Sequence, residues 1–287
     1  MSVRTRLDRE LVRRGLLPSR EQALAAIAAG RVSVAGQPAL KAARGVAPDE
    51  HIEVSSGDDP GYASRGGHKL AGALEVFTTV DPPLLVSGRR CLDAGASTGG
   101  FTDVLLRAGA ASVVAVDVGY GQLLWRLQND DRVRVHDRTN VRHLTPALIG
   151  GQVDLIVADL SFISLRLVLP ALAACALPGG DLVVLVKPQF EVGRERVGRG
   201  GVVREPLVRA EAIQGVAQVA ADLGFLVRGL VLSSLPGPAG NLEYVLWLAQ
   251  DGVPLATDLL RAVTEVVPAP IAPTASPDPD PSSGGPA

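Results

Sequence analysis

Three charged residues lie at the ends of apolar runs that predict strands of one sheet: Asp159, Lys187 and Glu243. Asp159 and Lys187 each follow such a run, and Glu243 begins the last one along the chain. Parallel strands bring their carboxyl ends to one edge of a sheet, and an antiparallel last strand begins at that edge, so these side chains are expected to converge. Lys69, just before the first helix of this region, could reach the same edge.

Lysines beside carboxylates suit the activation of a hydroxyl group. A hydroxyl is a poor nucleophile until its proton is removed, and a desolvated, uncharged lysine can act as the base while carboxylates orient it. Of the 28 Lys and Arg residues only three are lysines, Lys41, Lys69 and Lys187. Arginine stays protonated and cannot act as a base, so two of the three lysines lie where arginine could not replace them. Which of the two is the base stays open.

A glycine-rich turn at residues 93–101 separates a predicted strand from a predicted helix. It is not the dinucleotide fingerprint, because Ser97 replaces the second glycine, and it lacks the GK[ST] of a phosphate-binding loop. It resembles the S-adenosylmethionine (AdoMet) loop of Rossmann-like methyltransferases, with Asp117 on the ribose and Asp137 at the adenine. In the alternative, Asp93 only caps a turn and Asp117 is a solvated acid. The candidate cofactor-binding residues are Asp93, Gly95, Ser97, Thr98, Gly99, Gly100, Phe101, Asp117 and Asp137.

The residues after the fourth predicted strand of this region narrow the acceptor class. Methyltransferases that act on the amino groups of bases typically carry Asn/Asp-Pro-Pro-aromatic there, whereas this chain has ADLSF at residues 158–162. The absence of that motif argues against an exocyclic amine and favours a hydroxyl acceptor.

Strands and helices alternate from about residue 64, which is typical of a doubly wound α/β sheet. The predicted fold is a Rossmann-like class I AdoMet-dependent methyltransferase with a small N-terminal α+β domain. We predict domains at residues 1–59 and 66–252, a linker at 60–65, and a C-terminal helix with a Pro-rich, disordered tail at 253–287. The predicted strands are Arg90–Leu92, Ser112–Val116, Val133–His136, Val153–Val157, Asp181–Val186, Leu226–Ser233 and Glu243–Ala249, and two of the predicted helices are Phe101–Ala108 and Leu207–Asp222.

Taken together, these motifs resemble the TlyA-type (hemolysin-like) rRNA 2'-O-methyltransferases, related in their catalytic domain to the FtsJ/RrmJ group. The resemblance implies a catalytic tetrad of Lys69, Asp159, Lys187 and Glu243, AdoMet as methyl donor, and a ribose 2'-hydroxyl of rRNA, at cytidines, as acceptor. It covers roughly residues 3–250 and rests on the segments 64–70 (SRGGHKL), 93–101 (DAGASTGGF), 137–140 (DRTN), 158–164 (ADLSFIS), 186–191 (VKPQFE) and 240–243 (GNLE).

The first 48 residues are basic, although the net charge of the chain is only −2. They hold nine Lys and Arg against three Asp and Glu, a balance of +6 that favours nucleic-acid binding. The family places an alpha-L RNA-binding domain, like that of a small-subunit ribosomal protein, in this region. Ser19 and Gln22 predict a capping box for its second helix. The candidate RNA-binding residues are Arg4, Arg6, Ser19, Arg20 and Lys41, whereas Arg9, Arg13 and Arg14 could equally be solvated.

Two of the ten aromatic residues follow proposed catalytic positions closely, Phe162 and Phe190. An enzyme that reaches a ribose inside folded RNA usually extrudes the nucleotide and stacks its base. Phe190 is the candidate for stacking, although a place in the core is the simpler interpretation. Residues 191–204, with four arginines, are expected to form a mobile loop that faces RNA or an ordinary solvated connection.

The remaining features point to a monomeric cytoplasmic protein that acts on ribosomal subunits. Cys91 and Cys175 lie in apolar runs without CxxC spacing, so neither a disulfide nor a metal site is predicted. No apolar run approaches the length of a membrane span, which disfavours the membrane-lytic activity that the hemolysin label suggests. A non-catalytic AdoMet- and RNA-binding assembly factor stays open as an alternative. A pseudouridine synthase would have no use for the AdoMet loop.

Overall fold

In its described residues, the N-terminal region is a small α+β unit of two helices and five short strands. The computed structural model describes residues 4–28, 31–35, 37–39, 41–54, 61–237, 239–255 and 263. Leu7, Leu11 and Ile27 from the two helices pack on Val34 and Ile52 in a core of their own. The elements are β1 (Thr5–Arg6), α1 (Leu7–Arg13), α2 (Arg20–Ala28), β2 (Val32–Val34), β3 (Gln37–Pro38), β4 (Gly45–Val46) and β5 (Ile52–Val54).

The second region is a seven-stranded sheet with helices on both faces. Its strand order is β11-β12-β10-β9-β6-β7-β8, and β12 runs antiparallel to both of its neighbours while the other paired strands are parallel. The elements are α3 (Gly66–Phe77), β6 (Arg90–Ala94), α4 (Gly100–Arg107), β7 (Ser112–Val116), α5 (Trp125–Gln128), β8 (Val133–His136), β9 (Val153–Ala158), α6 (Leu165–Cys175), β10 (Ala176–Val186), α7 (Pro188–Glu191), α8 (Pro206–Asp222), β11 (Leu226–Leu232) and β12 (Tyr244–Ala249).

The central strands are continuous apolar runs because helices cover both of their faces. Leu92, Ile156 and Val184 face a core built with α6 and α8, whereas Cys91, Leu155 and Val183 face a core built with α3 and α4. This alternation confirms the predicted α/β fold class. All seven predicted strands are present and the last one is antiparallel, although it begins at Tyr244 rather than Glu243.

Strand register sets which residues share the carboxyl edge of the sheet. Ala158, the last residue of β9, pairs with Ala94 at the end of β6 and with Val184 near the end of β10. Val186, the last residue of β10, pairs with Tyr244, the first residue of β12. The residues that follow β6, β9 and β10, and the residue that precedes β12, therefore lie at one edge.

Strand ends and one cap differ from the sequence prediction. β10 begins at Ala176 rather than Asp181, with an irregularity in its pairing to β9 between these residues. Ser19 Oγ accepts a hydrogen bond from Gln22 N at 3.2 Å, as a helix cap should, but the Gln22 side chain donates to Tyr62 O and does not complete the predicted capping box. Residue 60, the first residue of the predicted linker, lies outside the described residues. So do the predicted C-terminal helix and tail, except for residues 253–255 and 263.

Candidate active site at the carboxyl edge of the sheet

Lys187 and Asp159 form one lysine–carboxylate pair at this edge. Lys187 directly follows β10 and Asp159 directly follows β9, so the strands deliver both side chains to the same place. Lys187 Nζ lies 2.6 Å from Asp159 Oδ1, and the side chains are 9% and 22% exposed. The contact is an ion pair without hydrogen-bond alignment, since Asp159 Oδ1 has no hydrogen-bond partner in the described part of the chain. The aligned hydrogen bond of Lys187 Nζ goes to Ser161 Oγ at 2.9 Å.

Lys69 and Glu243 form a second pair, which is more deeply buried. Lys69 lies in the first turn of α3, and its Nζ donates to Glu243 Oε2 at 2.5 Å. The side chains are 6% and 1% exposed. Removing one partner of such a buried pair strongly destabilises the folded protein, because the other charge is left buried without compensation.

The two pairs are neighbours. Because Val186 pairs with Tyr244, Lys187 and Glu243 each lie one residue beyond the last pair of β10 and β12. The first turn of α3 also approaches Asp159, since a Cβ on Gly66 would lie 3.9 Å from Asp159 Oδ2. The structure therefore brings all four residues of the predicted tetrad to one edge.

Glu191 ties the two loops of the Lys187–Asp159 pair together. It ends the short helix α7 that starts after Lys187, and its buried carboxylate accepts from Ser164 Oγ at 2.5 Å and from Leu165 N at 2.7 Å. Arg166 closes the contact by donating to Glu191 O at 2.6 Å. A carboxylate at the N-terminus of α6 is well placed, because the helix dipole favours negative charge there. No local sequence pattern indicates this role of Glu191, since its partners lie 25 to 27 residues away.

The predicted cofactor loop lies beside these pairs. Gly95 has φ +90°, and a Cβ there would come within 2.5 Å of Asp159 O, so the loop approaches the loop after β9 closely only because this residue is glycine. Gly99, with φ +99°, precedes the first residue of α4. Gly100 and Phe101 begin that helix, and the backbone N–H of Ser97 donates to Asp117 Oδ2 at 2.8 Å. Thr98 lines a groove between α2 of the N-terminal region and α3.

Asp93 is buried beneath this loop with one oxygen unsatisfied. Its Oδ2 accepts from Thr102 Oγ1 at 2.6 Å, but its Oδ1 has no hydrogen-bond partner within the described residues. Burial raises the pKa of Asp93 to about 7, the Thr102 hydroxyl opposes the rise, and the carboxylate of Asp159 adds to it. A buried acceptor of this kind fits a cationic group of a ligand, and the ammonium group of AdoMet is such a group.

Asp117 and Asp137 follow β7 and β8 at the same edge. Both oxygens of Asp117 accept backbone N–H groups, from Ser97 and from Gly119 at 2.7 Å, and Asp137 Oδ2 accepts from Gly121 N at 2.9 Å. Each carboxylate oxygen can accept a second hydrogen bond. Both residues thus shape the loops around the predicted nucleoside position and keep acceptor capacity for hydroxyl or amino groups.

The two phenylalanines near the pairs differ in exposure. Phe162 is 91% exposed and adopts φ +64°, a backbone conformation that bulky residues rarely take. Phe190 is half-buried, and its ring centroid lies 5.3 Å from that of Phe162. The structure therefore makes Phe162, rather than Phe190, the more accessible candidate for stacking on a base.

The arginine-containing segment at 191–204 is held by a residue that sequence reasoning missed. Asn241, two residues before Glu243 and 2% exposed, accepts from Val203 N at 2.9 Å and donates to Gly201 O at 2.8 Å. Arg196 pairs with Glu211. This segment is thus hydrogen-bonded to the residues just before β12, which also include Glu243.

In the N-terminal region, Arg6 and Arg20 share one buried carboxylate. Asp8 Oδ1 accepts from Arg6 Nε at 3.0 Å and Asp8 Oδ2 from Arg20 Nε at 2.8 Å, and the arginines remain 44% and 56% exposed. The hydrogen bond from Arg6 is the largest cause that lowers the pKa of Asp8 to about 2. Of the other candidates, Lys41 is exposed and Arg4 pairs with Glu50.

The segment between the two regions is anchored to α4. Ala63 N donates to the buried carboxylate of Asp103 at 2.9 Å, and Arg107 donates to Gly61 O at 3.0 Å while its guanidinium lies over the Tyr62 ring. Asp103 and Arg107 belong to the helix that follows the cofactor loop. Arg65, which follows this segment, pairs with Glu21 of α2 at 3.3 Å.

Other reactive side chains are buried. Burial raises the pKa of the Cys91 thiol to about 12 and also raises that of Cys175, so both stay protonated. Within the described ranges, no group of three or more His, Cys, Asp and Glu side chains could hold a metal ion. No helix among the described residues is long and apolar enough to span a bilayer.

Two family models match the chain. Residues 62–250 match the FtsJ-like methyltransferase model, and residues 5–52 match the S4 domain model. The two matches correspond to the sheet region and to the N-terminal unit.

Individual relatives cover most of the chain. A Mycobacterium tuberculosis protein named 16S/23S rRNA (cytidine-2'-O)-methyltransferase TlyA is 58% identical over 248 residues, which are 86% of this chain and 91% of the relative. Hemolysin A of Brachyspira hyodysenteriae is 35% identical over 84% of this chain and 98% of its own length. A solved structure from Streptococcus thermophilus that carries a hemolysin name is 39% identical, covers 92% of this chain and 96% of its own, and superposes with a TM-score of 0.70.

Proposed function

The chain belongs to the FtsJ-like methyltransferase family, and from this premise we propose that it transfers a methyl group from AdoMet to a ribose 2'-hydroxyl of rRNA. The observation that carries the proposal is the pair of lysine–carboxylate contacts beside a glycine-rich cofactor loop. The relative from Mycobacterium tuberculosis is named for cytidines of 16S and 23S rRNA, and we propose the same acceptors here.

The cofactor would be held by the loop at Gly95–Phe101 and the acids around it. Asp93 Oδ1, buried and without a partner among the described side chains, is placed to accept from the ammonium group. Asp117 and Asp137, at successive strand ends, would accept from the ribose and the adenine. When bound, AdoMet supplies an electrophilic methyl group on its sulfonium.

Lys187 is the residue that we propose as the base. Its partner Asp159 is the more exposed of the two tetrad carboxylates, at 22% against 1% for Glu243, so a hydroxyl from a large substrate reaches Lys187 more readily than Lys69. An uncharged Lys187 amine would take the 2'-hydroxyl proton as the oxygen bonds to the methyl carbon. Asp159 would then stabilise the ammonium that forms.

Lys69 and Glu243 would hold the acceptor in place. Lys69 Nζ donates to Glu243 Oε2 at 2.5 Å, which fixes the position of the amine. A fixed ammonium next to the reacting edge can donate to the ribose oxygen and stabilise negative charge that develops on it.

Phe162 is the residue that we propose for contact with the extruded base. It projects from the same loop that carries Asp159, and its ring is exposed while Phe190 supports it. A stacked base beside the sheet edge would bring its own ribose to the two lysines.

The S4 domain would dock the enzyme on rRNA. Asp8 holds Arg6 and Arg20 side by side while leaving their guanidinium groups about half exposed, which suits contact with phosphates. Arg4, Lys41 and the N-terminus of α2 at Ser19 would extend this surface. Because both lysine pairs and the cofactor loop come from one chain, we propose that a monomer suffices for the reaction. We also propose that the protein acts on ribosomal subunits in the cytoplasm.

The proposal is tested by methyl transfer and binding measured on the same samples. Ribosomal subunits incubated with the protein and tritiated AdoMet should acquire label, and Lys187→Ala should abolish transfer while its affinity for subunits stays intact. Unlabelled rRNA with the wild-type protein, under conditions where it binds subunits, would favour a non-catalytic assembly factor. Leakage of dye from liposomes would instead favour the activity that the hemolysin names suggest.

A further inference from the structure

The side chain of Ser161 contacts the proposed base directly. Lys187 Nζ donates to Ser161 Oγ at 2.9 Å, and this is an aligned hydrogen bond, whereas the contact at 2.6 Å with Asp159 Oδ1 is not. Ser161 is exposed and Lys187 is buried, so the hydroxyl lies where the buried amine meets the substrate side.

The tetrahedral geometry of the lysine nitrogen means that a hydrogen bond to Ser161 restricts the direction of its lone pair. Nζ has four tetrahedral positions, of which Cε occupies one and hydrogens or a lone pair occupy three. Ser161 takes one of these three through an aligned hydrogen bond, while the Asp159 carboxylate lies 2.6 Å from Nζ without such alignment. With one N–H directed at Ser161, the lone pair of the uncharged amine is confined to the remaining positions, one of which must face the incoming hydroxyl.

We propose that Ser161 is a positioning residue for the methyl transfer. Its hydroxyl oxygen accepts one N–H of Lys187 and thereby directs the lone pair of the Lys187 amine at the 2'-hydroxyl. This inference rests on the proposed function. In the step, the O–H bond of the ribose breaks as an N–H bond forms on Lys187, and the methyl carbon leaves sulfur for oxygen. Ser161 neither gains nor loses a proton.

The fold holds Ser161 and Lys187 in fixed relation. Asp159 N donates to Ala94 O at 3.1 Å, which fixes the start of the loop that carries Ser161. Glu191 fixes its end through Ser164 and Leu165, and the same Glu191 ends the helical turn that begins after Lys187. Phe162, with its φ of +64°, belongs to the same loop, and such strain persists only where the surrounding structure imposes it.

The test compares Ser161→Ala with Ser161→Thr, which keeps a hydroxyl, in single-turnover methylation of ribosomal subunits. Ser161→Ala should lower the rate about 10- to 100-fold, since misdirected reacting groups cost that much. Affinities for AdoMet and subunits should change less than about twofold, and Ser161→Thr should restore most of the rate. Thr79→Ala, at an exposed position two residues after α3, serves as the matched control.

A pH profile separates positioning from a general loss of structure. An acceptor on Lys187 favours its ammonium form, so removing the hydroxyl should move the acidic limb of the pH–rate profile to lower pH. A wild-type rate with an unmoved limb in Ser161→Ala, or a Ser161→Thr as slow as Ser161→Ala, would overturn the inference. If the wild-type protein itself transferred no methyl group to ribose, the proposed function would fail instead.

Discussion

Two regions of the molecule pair cations with buried carboxylates, and they use different cations. In the N-terminal unit, Arg6 and Arg20 flank Asp8 and remain 44% and 56% exposed. At the sheet edge, Lys69 and Lys187 are 6% and 9% exposed. Asp8 and Glu243 are almost completely buried and Asp159 is 22% exposed, whereas the cations of the two regions differ in both chemistry and access to solvent.

The difference matches the two tasks that we propose. A guanidinium keeps its charge and presents several donors in a plane, which suits contact with phosphates. A buried amine can lose its proton, which suits a base. Arginine therefore stands where charge must be constant, and Lys187 where it must change.

Exchanging the cations tests this comparison most severely. Lys187→Arg keeps the positive charge but cannot act as a base, so the methylation rate should fall about 10³-fold, within the usual range for general-base catalysis. Arg20→Lys should leave the rate at saturating subunits unchanged. Single-turnover kinetics on both variants measure the two effects, and AdoMet binding by Lys187→Arg verifies its fold. An active Lys187→Arg enzyme would exclude Lys187 as the base.

The exposed aromatic residue gives the next largest effect. Phe162→Ala should weaken productive subunit binding about tenfold, because stacking on one base is worth about 1–3 kcal/mol. Phe190→Ala, a change of the same size in the half-buried partner, should have a smaller effect on RNA and a larger one on thermal stability. Equal kinetic losses in both variants would mean that the two rings act only as packing.

Cofactor affinity should depend on pH through Asp93. The pKa of this carboxyl is raised to about 7, so it is mostly protonated at pH 6 and ionised above pH 7, where it can hold the cofactor's ammonium group. Affinity for AdoMet should therefore rise about five- to tenfold between pH 6 and pH 7.5. Titration calorimetry on Asp93→Asn should show weaker binding that no longer depends on pH. A flat profile in the wild-type protein would remove Asp93 from the cofactor site.

The smallest effect concerns the arginines of the N-terminal unit. Replacing Arg6 and Arg20 by Gln, together with Asp8→Asn so that no buried charge is left unpaired, should reduce the salt dependence of subunit binding by about one unit of slope per lost phosphate contact. Asp8→Asn alone is the control. A slope unchanged in the triple variant would mean that rRNA docks elsewhere.

The sequence was sufficient to predict the sheet and the residues at its carboxyl edge. Continuous apolar runs identify buried strands, and the topology of such a sheet then places Asp159, Lys187 and Glu243 without further information. For Lys69 the sequence predicts only that its side chain could reach this edge, because its position depends on how α3 packs against the sheet.

Contacts between distant loops could not be predicted in this way. The hydrogen bonds of Glu191 and Asn241 join segments 26 to 40 residues apart, and nothing in their local sequence indicates the partner. The exposure of Phe162 depends on a left-handed backbone conformation that no local pattern predicts. Gln22 failed as half of a capping box because the neighbouring region offers its side chain a carbonyl acceptor at Tyr62.

The position of the transferred methyl group tests the central claim most directly. Ribosomal RNA treated with the protein and AdoMet carrying a labelled methyl group would be digested to nucleosides and analysed by mass spectrometry. We predict label in 2'-O-methylcytidine, with none when Lys187→Ala replaces the wild-type protein. Label on a cytosine ring or its exocyclic amine would contradict the assignment of a ribose hydroxyl as the acceptor.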